Sequence, residues 1–382
     1  MSARRTAAGT AGEAEPATSR ADGGAAPSES ARPAGRRGGR RRTLITFAAL
    51  APVLAAVLTA ALLSPGNAPD DAPADVPGNS AGNSAGDGTG TAGRAHVRPQ
   101  TVAPTAAAAP ERCDDGTPAA ASLRPSDEAG AAVERIRERG QLVVGVDQNN
   151  YLWGYRNPHT GSIDGFDIDL VQAVGRDLLG DDPHIVYRTI PTDQRIPAIR
   201  EREVDMVVRT MTVNCERRAE VAFSTAYFTA GQQILAPRSS EVTGHDDSLR
   251  GLRTCSARGS TAAAAMERED FGSSQLLVPN QLDCLVRLQL GEVDAVVTDS
   301  ALAAGLAAQD PTVELVGEPF TTEPYGIAMN LADEDLVRRV NQVLDDFRSG
   351  GDDSAWRASY DRWLADVMPD RTPEPPTPQY RD

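Results

Sequence analysis

The sequence contains no lysine, so every side chain with a fixed positive charge is an arginine. The charges are also unevenly distributed. Residues 1–42 carry nine arginines against four acidic groups, a net charge of +5, whereas residues 43–382 carry 29 arginines against 50 acidic groups, a net charge of −21. Binding to nucleic-acid phosphates needs a basic surface, so the acidic larger part argues against a nucleic-acid partner.

Cysteine and histidine are scarce as well, with four of each in the chain. No C-x-x-C sequence occurs, and the histidines at positions 96, 159, 184 and 245 are scattered. A zinc site needs clustered ligands of these types, so we predict no metal site, and nothing in the sequence calls for another cofactor.

All four cysteines follow a long apolar segment, in an even number that suits disulfide bonds in an oxidising compartment. Three pairings are possible. Pairing Cys255 with Cys284 would join two neighbouring elements, and pairing Cys113 with Cys215 would attach the start of the folded region to a loop. We predict these two bridges.

The amino-terminal part has the pattern of a membrane anchor. Residues 1–42 lack large apolar side chains and are predicted to be a disordered basic tail in the cytoplasm. Residues 43–63 are uncharged over 21 positions, the length of a bilayer span. This run exceeds a typical signal-peptide core, so we favour an uncleaved signal anchor over a cleaved export signal. The protein is then expected in the cell membrane, single-pass, with its binding domain on the cell-wall side.

Low-complexity sequence surrounds the folded region. Residues 64–129 are interpreted as a linker rich in Gly, Ala and Pro, followed by a lead-in tied down by a disulfide. At the other end, residues 367–382 form a Pro-rich tail that is predicted to join no core.

Strand and helix patterns alternate in between. Apolar runs at 141–146, 184–190 and 204–209 predict strands of a first half, and runs at 253–256, 275–278 and 293–297 predict strands of a second half. Segments 233–237 and 325–329 are interpreted as connectors. Strands that alternate with helices indicate an α/β fold whose ligand loops lie at strand ends.

One such loop spans residues 210–218 and follows the predicted strand at 204–209. It offers the hydroxyl groups of Thr210 and Thr212, backbone N–H groups and the guanidinium of Arg217. This set suits a small carboxylate, because arginine can bind a planar anion through two hydrogen bonds. The alternative is a surface turn whose arginine is solvated.

Several motifs together resemble bacterial extracytoplasmic solute-binding family 3, the amino-acid-binding proteins of ABC importers. The chain looks most similar to the glutamate- and glutamine-binding proteins of actinobacteria. The motifs run in the family's order from about residue 130 to 366. They are Gly165-Phe166-Asp167-Ile168-Asp169-Leu170, Ile196-Pro197-Ala198, Val204-Asp205-Met206-Val207-Val208, Thr210-Met211-Thr212, Glu216-Arg217-Arg218, Ala222-Phe223-Ser224-Thr225-Ala226-Tyr227, Ala295-Val296-Val297-Thr298-Asp299 and Pro324-Tyr325-Gly326-Ile327-Ala328.

The resemblance implies a two-lobed clamshell, the type II fold of periplasmic binding proteins. The chain would cross between the lobes near residues 230–236 and 322–327. Lobe 1 would then contain residues 130–229 and 328–366, and lobe 2 would contain residues 237–321.

The resemblance also implies roles for single residues. Arg217 is expected to pair with the α-carboxylate of an amino acid, helped by Thr212 and the backbone of Thr210. Asp299 is expected to accept the α-ammonium, so that one cation and one anion hold the zwitterion. The alternative for Asp299 is a helix cap.

The charge of the ligand side chain is predicted from positions at which this sequence departs from the family pattern. Asn150 stands where glutamine-binding relatives usually have an aromatic residue, and Arg209 and Arg258 add positive charge. Unpaired guanidinium groups in a cleft are costly, so we favour glutamate or aspartate over glutamine or asparagine. Arg209 could instead pair with Asp205 or Asp147. The predicted ligand-binding residues are Arg217, Thr212, Thr210, Asp299, Arg209, Asp147, Asn150, Gly259, Ser260, Thr261 and Arg258.

The predicted protein is a monomer that closes on an amino acid and delivers it to the permease subunits of an ABC importer. A second interpretation is a sensor that reports amino-acid supply to a membrane protein. An enzyme on the same fold is disfavoured, because no paired catalytic carboxylates stand out and no histidine lies in a cleft motif.

Overall fold

The computed structural model describes residues 111–382. The predicted cytoplasmic tail, the apolar segment 43–63 and the linker up to residue 110 lie outside these described residues. Within residues 111–382, no helix is both long and apolar enough to cross a membrane.

The described chain alternates strands and helices in two rounds. The first round contains α1 (Ala131–Arg139), β1 (Leu142–Val146), β2 (Asn149–Asn150), β3 (Gly154–Arg156), β4 (Ile163–Asp164), α2 (Phe166–Leu179), β5 (Ile185–Thr189), α3 (Arg195–Arg200), β6 (Met206–Val207), α4 (Cys215–Arg218), β7 (Ala222–Phe223) and β8 (Phe228–Ala230). The second contains β9 (Gln232–Pro237), β10 (Arg253–Ala257), α5 (Thr261–Arg268), β11 (Ser274–Val278), α6 (Gln281–Gln289), β12 (Ala295–Asp299), α7 (Ser300–Gln309) and β13 (Val313–Val316). The chain then continues through β14 (Glu323–Tyr325), β15 (Ala328–Met329), α8 (Glu334–Arg348) and α9 (Ala355–Trp363).

Two five-stranded sheets form the centres of two lobes. The first sheet has the order β5-β1-β6-β15-β7, and the second has the order β11-β10-β12-β9-β13. In the first sheet β1 runs parallel to β5 and β6, whereas the returning strand β15 is antiparallel to β6 and β7. The predicted α/β fold with two lobes is therefore present.

A two-stranded ribbon carries the chain between the lobes. Strand β8 leads from the first sheet to the second, β14 leads back, and the two pair antiparallel with Phe228 opposite Tyr325. The rings of Phe228 and Tyr325 stack with their centroids 5.9 Å apart, and Trp153 packs edge-on against Phe228 at 4.8 Å. Burial of these aromatic side chains stabilises the ribbon.

The predicted connector at 233–237 is a strand in the structure. β9 lies between β12 and β13 in the second sheet, and its side chains reach both faces. Leu235 packs in one apolar cluster of the second lobe, and Ile234 and Ala236 pack in the other. A strand buried on both faces shows no alternation of apolar and polar residues, so the sequence of β9 lacks the usual pattern of a half-buried strand.

The Pro-rich tail at residues 367–382 is attached to lobe 1, although none of its residues is among the buried core residues. The backbone near Tyr380 pairs with the lead-in: Ser122 N–H donates to Gln379 O at 2.9 Å, and Arg381 N–H donates to Ser122 O at 2.9 Å. The hydroxyl of Tyr380 donates to Asp345 on α8 at 2.9 Å. Both ends of the described chain are therefore attached to lobe 1.

Both predicted disulfides are present in the structure. Cys113 is bonded to Cys215 at the start of α4, and Cys255 in β10 is bonded to Cys284 in α6. The second bridge is fully buried. This bridge joins a central strand of lobe 2 to the helix that covers it. The two cysteines are separated by 29 positions in the sequence.

Removing the buried bridge with Cys255→Ala and Cys284→Ala should lower the free energy of unfolding by about 3–4 kcal/mol, because the unfolded chain regains the entropy of the closed loop. Urea unfolding under oxidising conditions measures this difference. Wild-type protein with both bridges intact, under the same oxidising conditions, is the comparison. An unchanged urea midpoint in the double variant would show that the bridge adds no stability.

Candidate ligand-binding site

Arg217 is held at the lobe interface by its short helix. Asn214 caps α4 by accepting a hydrogen bond from the N–H of Arg217 at 2.8 Å. The guanidinium is buried and donates to Thr212 O at 2.8 Å and, across the cleft, to Gly259 O at 3.1 Å. Burial lowers the pKa of Arg217, while the nearby acids Glu323 and Asp299 oppose this shift. Within residues 111–382, no carboxylate lies within 4.0 Å of this guanidinium.

Arg195, which was not predicted, is a second buried guanidinium in the same cleft. It begins α3 and donates to Thr192 O at 2.8 Å and to Gly259 O at 3.4 Å. Burial lowers its pKa well below the usual range for arginine, and the charge of Arg217 adds to the shift. It too forms no ion pair among the described residues. Its position at the start of a helix that follows the end of β5 by a few residues was the available sequence signal.

The anionic side of the cleft is built from Asp299 and Glu323. Asp299 ends β12 and accepts a hydrogen bond from Tyr325 Oη at 2.6 Å and another from Gln232 Nε2. Burial and the charge of Glu323 raise the pKa of Asp299 to about 7. Its side chain makes no capping hydrogen bond to α7, which contradicts the alternative that Asp299 serves as a helix cap.

Glu323 is a second residue that sequence reasoning missed. It lies in the crossing strand β14, is 4 % exposed, and accepts hydrogen bonds from Thr261 at 2.9 Å and Thr321 at 2.7 Å. Its position in a segment interpreted as the edge of a connector gave no sign of burial.

Arg195, Arg217 and Asp299 face a narrow space between the lobes. Its volume is about 10 Å³, room for one water molecule, so the lobes are closed onto each other. Gln281 also lines this space, and its side-chain oxygen is buried without a hydrogen-bond partner. The lining residues are Arg195, Thr210, Thr212, Arg217, Ser260, Thr261, Ala262, Gln281, Thr298 and Asp299. A ligand as large as an amino acid must enter while the lobes are apart.

Arg209 does not fit the prediction of an unpaired cation. Its guanidinium forms an ion pair with Asp147 at 2.7 Å, and both side chains are buried. The register explains this pairing: Gly145 in β1 is paired with Val207 in β6, so the residues two positions further along lie side by side. Asn150 donates to the same Asp147 carboxylate at 2.9 Å. These three residues lie outside the lining of the narrow space.

Arg258 also differs from the prediction, because its side chain is 54 % exposed and lies 3.8 Å from Asp193. The neighbouring Gly259 lies in the left-handed region with φ of 74°, and its carbonyl accepts hydrogen bonds from both Arg195 and Arg217. Ser260 caps α5 by accepting a hydrogen bond from the N–H of Ala263 at 3.0 Å. The loop thus faces the site through its backbone and Thr261 rather than through Arg258.

The two lobes, the ribbon between them and the buried charges in the closed cleft define a two-lobed α/β binding protein. Residues 142–366 match the bacterial extracellular solute-binding proteins, family 3, and the chain belongs to this family.

Relatives and solved structures agree with this assignment. The ABC transporter glutamine-binding protein GlnH of Bacillus subtilis is 32 % identical over 229 residues, which is 60 % of this chain and 83 % of the relative. The glutamate-binding protein GluB of Corynebacterium efficiens is 29 % identical over 252 residues, 63 % of this chain and 83 % of the relative. A solved ancestral arginine-binding protein bound to glutamine has a TM-score of 0.55 and 31 % identity, and the match covers 59 % of this chain and 98 % of that one. The two relatives are named as binding proteins, not as enzymes.

The Asp147–Arg209 pair should behave as a coupled buried pair. Arg209→Met should cost about 3–5 kcal/mol of stability, because it leaves a buried carboxylate without a counter-charge. Adding Asp147→Asn in the same protein should recover most of that loss. Urea unfolding of the two single variants and the double variant forms a double-mutant cycle. Additive effects of the two substitutions would contradict the pairing.

Proposed function

We propose that the protein binds an acidic amino acid, glutamate or aspartate, between its lobes. The observation that carries this proposal is the pair of buried guanidinium groups, Arg195 and Arg217, that form no ion pair among the described residues. A dicarboxylic amino acid supplies one carboxylate for each. Its ammonium group supplies the counter-charge for Asp299 on the opposite side of the cleft.

Charge balance favours the acidic ligand over its amide. A buried guanidinium without a counter-ion is costly, whereas a hydrogen-bonded carboxylate offsets the cost. Glutamine would neutralise Arg217 through its α-carboxylate and leave Arg195 with only a neutral oxygen. In this assignment Arg195, not Arg209, contacts the ligand side chain. The relatives named for glutamine and for glutamate support the ligand class, and the two buried arginines of this chain support a negatively charged side chain.

Closure follows from the placement of the charges. Thr212 and Arg217 belong to lobe 1, and Thr261 and Asp299 belong to lobe 2, so only the closed form brings all of them to one ligand. A ligand that contacts both lobes binds the closed form better and shifts the equilibrium towards it. The closed form is then what a membrane partner recognises.

We further propose that the protein is tethered to the membrane through residues 43–63 and delivers its ligand to an ABC permease. The resemblance to importer-binding proteins supports delivery, and the uncharged run supports the tether. Affinity purification of the full chain from membranes tests this part. Recovery of permease subunits supports import, whereas recovery of a lone membrane receptor would replace import with sensing.

Ligand selectivity should depend on Arg195. In calorimetric titrations of the full chain in detergent, glutamate or aspartate should bind at least about tenfold more tightly than the corresponding amide, the difference that a charge-assisted hydrogen bond supplies. Arg195→Met should remove or reverse this preference. Arg258→Met, which removes an exposed arginine near the same loop, is the matched control and should leave the preference unchanged.

The same titrations separate the two arginines. Arg217→Ala should weaken every amino-acid ligand, because it removes the partner of the shared α-carboxylate. Its melting temperature without ligand should not fall much, since a buried charge without a counter-ion is also removed. Tighter binding of glutamine than of glutamate by the wild-type protein would contradict the role of Arg195.

Ligand affinity should depend on pH through Asp299. Its pKa in the closed protein is raised to about 7, and an ammonium group at the carboxylate would lower that pKa again. Affinity is therefore full above about pH 7 and falls by up to about tenfold per unit as the pH drops below it. Titrations between about pH 8 and pH 5.5 measure this slope. Asp299→Asn should bind weakly with a flat profile, and a flat wild-type profile would contradict the assignment.

A further inference from the structure

The backbone of Thr210 is held in a conformation that L-residues avoid. Its φ is 43°, in the left-handed region, and Thr210 is one of four described residues other than glycine with positive φ. A branched side chain makes this conformation costly, and such strain persists only where surrounding contacts hold it. Thr210 also lines the narrow space between the lobes. The strain therefore lies within the candidate site.

The contact that holds Thr210 comes from a carboxylate behind the loop. Asp167 Oδ2 accepts the N–H of Thr210 at 3.0 Å, and Asp167 Oδ1 accepts the hydroxyl of Tyr227 at 2.8 Å. Asp167 lies in the first turn of α2 and is 1 % exposed. Burial raises its pKa to about 7, a cost that these two hydrogen bonds offset.

Asp167 has no role in capping its own helix. Its two carboxylate oxygens accept from the N–H of Thr210 and the hydroxyl of Tyr227, so the carboxylate is directed at the loop rather than at α2. Asp169, two residues later, is different: its carboxylate accepts hydrogen bonds from Ser359 at 2.7 Å and Trp363 at 2.8 Å and ties α2 to α9. The two acids of one helical turn therefore have separate tasks.

The loop that contains Thr210 is hydrogen-bonded to Arg217 and to the ribbon. Thr212 O accepts the hydrogen bond from Arg217, so the path of the loop sets the position of that guanidinium. Met211 O accepts the N–H of Gly326 at 3.0 Å, next to β14, while Tyr227 directly precedes β8. The loop is thus connected to both crossing strands, to one through Asp167 and to the other through its own backbone.

We propose that Asp167 is a positioning residue for the ligand site: it holds Thr210 in the left-handed conformation that places Thr212 and Arg217 against the ligand carboxylate, and through Tyr227 it fixes this loop to the first crossing strand. The assignment of Thr212 and Arg217 to the ligand rests on the proposed function. The hold on Thr210 itself rests only on the geometry of the protein.

A suppressor substitution separates this role from general stability. Asp167→Ala in the full chain should weaken glutamate binding by about tenfold or more, because Thr210 relaxes and Arg217 moves with the loop. Thr210→Gly in that variant should restore most of the affinity, because glycine adopts positive φ without help. Asp169→Ala is the matched control. It should lower the melting temperature and leave the glutamate affinity within about twofold.

A measurement without ligand completes the test. Hydrogen–deuterium exchange of the peptide containing Thr210 should be faster in Asp167→Ala than in wild type, since its amide loses its acceptor. If Asp167→Ala does not fold, Tyr227→Phe removes one support and should also speed this exchange and weaken glutamate binding by a smaller factor.

Three results would overturn the proposal: unchanged exchange in both variants, wild-type glutamate affinity in Asp167→Ala, or failure of Thr210→Gly to restore binding. If the wild-type protein binds no amino acid, the proposed function fails. The exchange measurement alone then decides whether Asp167 holds the loop.

Discussion

The carbonyl group of Gly259 accepts hydrogen bonds from two arginines of the opposite lobe, and the organisation of the cleft depends on this buried positive charge. Three guanidinium groups, those of Arg195, Arg209 and Arg217, are buried on the lobe 1 side. Arg209 is neutralised within its own lobe by Asp147. The other two are held by backbone carbonyls, which orient a guanidinium but leave its charge uncompensated. A partially charged carbonyl from lobe 2 therefore offsets less of this charge than an anion would.

The ribbon between the lobes takes part in the site as well as joining its halves. Each crossing strand has a tyrosine whose hydroxyl reaches a buried carboxylate: Tyr227 precedes β8 and reaches Asp167, and Tyr325 in β14 reaches Asp299. The first carboxylate supports the cationic side of the cleft, and the second is the anionic side. Tyr227 N–H also donates to Tyr325 O at 2.8 Å, so the two halves of the site share one support.

The fold and much of the cleft could be predicted from the sequence, because hydrophobic periodicity and short motifs are local signals. Strands β1, β5, β10 and β11 lie within a residue or two of their predicted positions. Strand β9 was interpreted as a connector, because a strand buried on both faces lacks the alternation of apolar and polar residues that marks a half-buried strand. Pairing of Arg209 with Asp147 was only an alternative, because strand register is needed to bring Asp147, 62 residues earlier, beside it. Arg195 and Glu323 were overlooked for a related reason: their contacts with Gly259 and Thr261 join positions that are far apart in the sequence.

Both ends of the described chain lie on the same lobe. The lead-in is bonded to α4 through Cys113 and Cys215, and the last residues pair with it across Ser122, so both ends of the described chain belong to lobe 1. Within the described residues, only β8 and β14 lead into lobe 2. A rotation about this ribbon would therefore move lobe 2 relative to the lobe that holds both ends. A docking partner that sets its position by lobe 1 would sense occupancy as a change in the angle at which lobe 2 is presented.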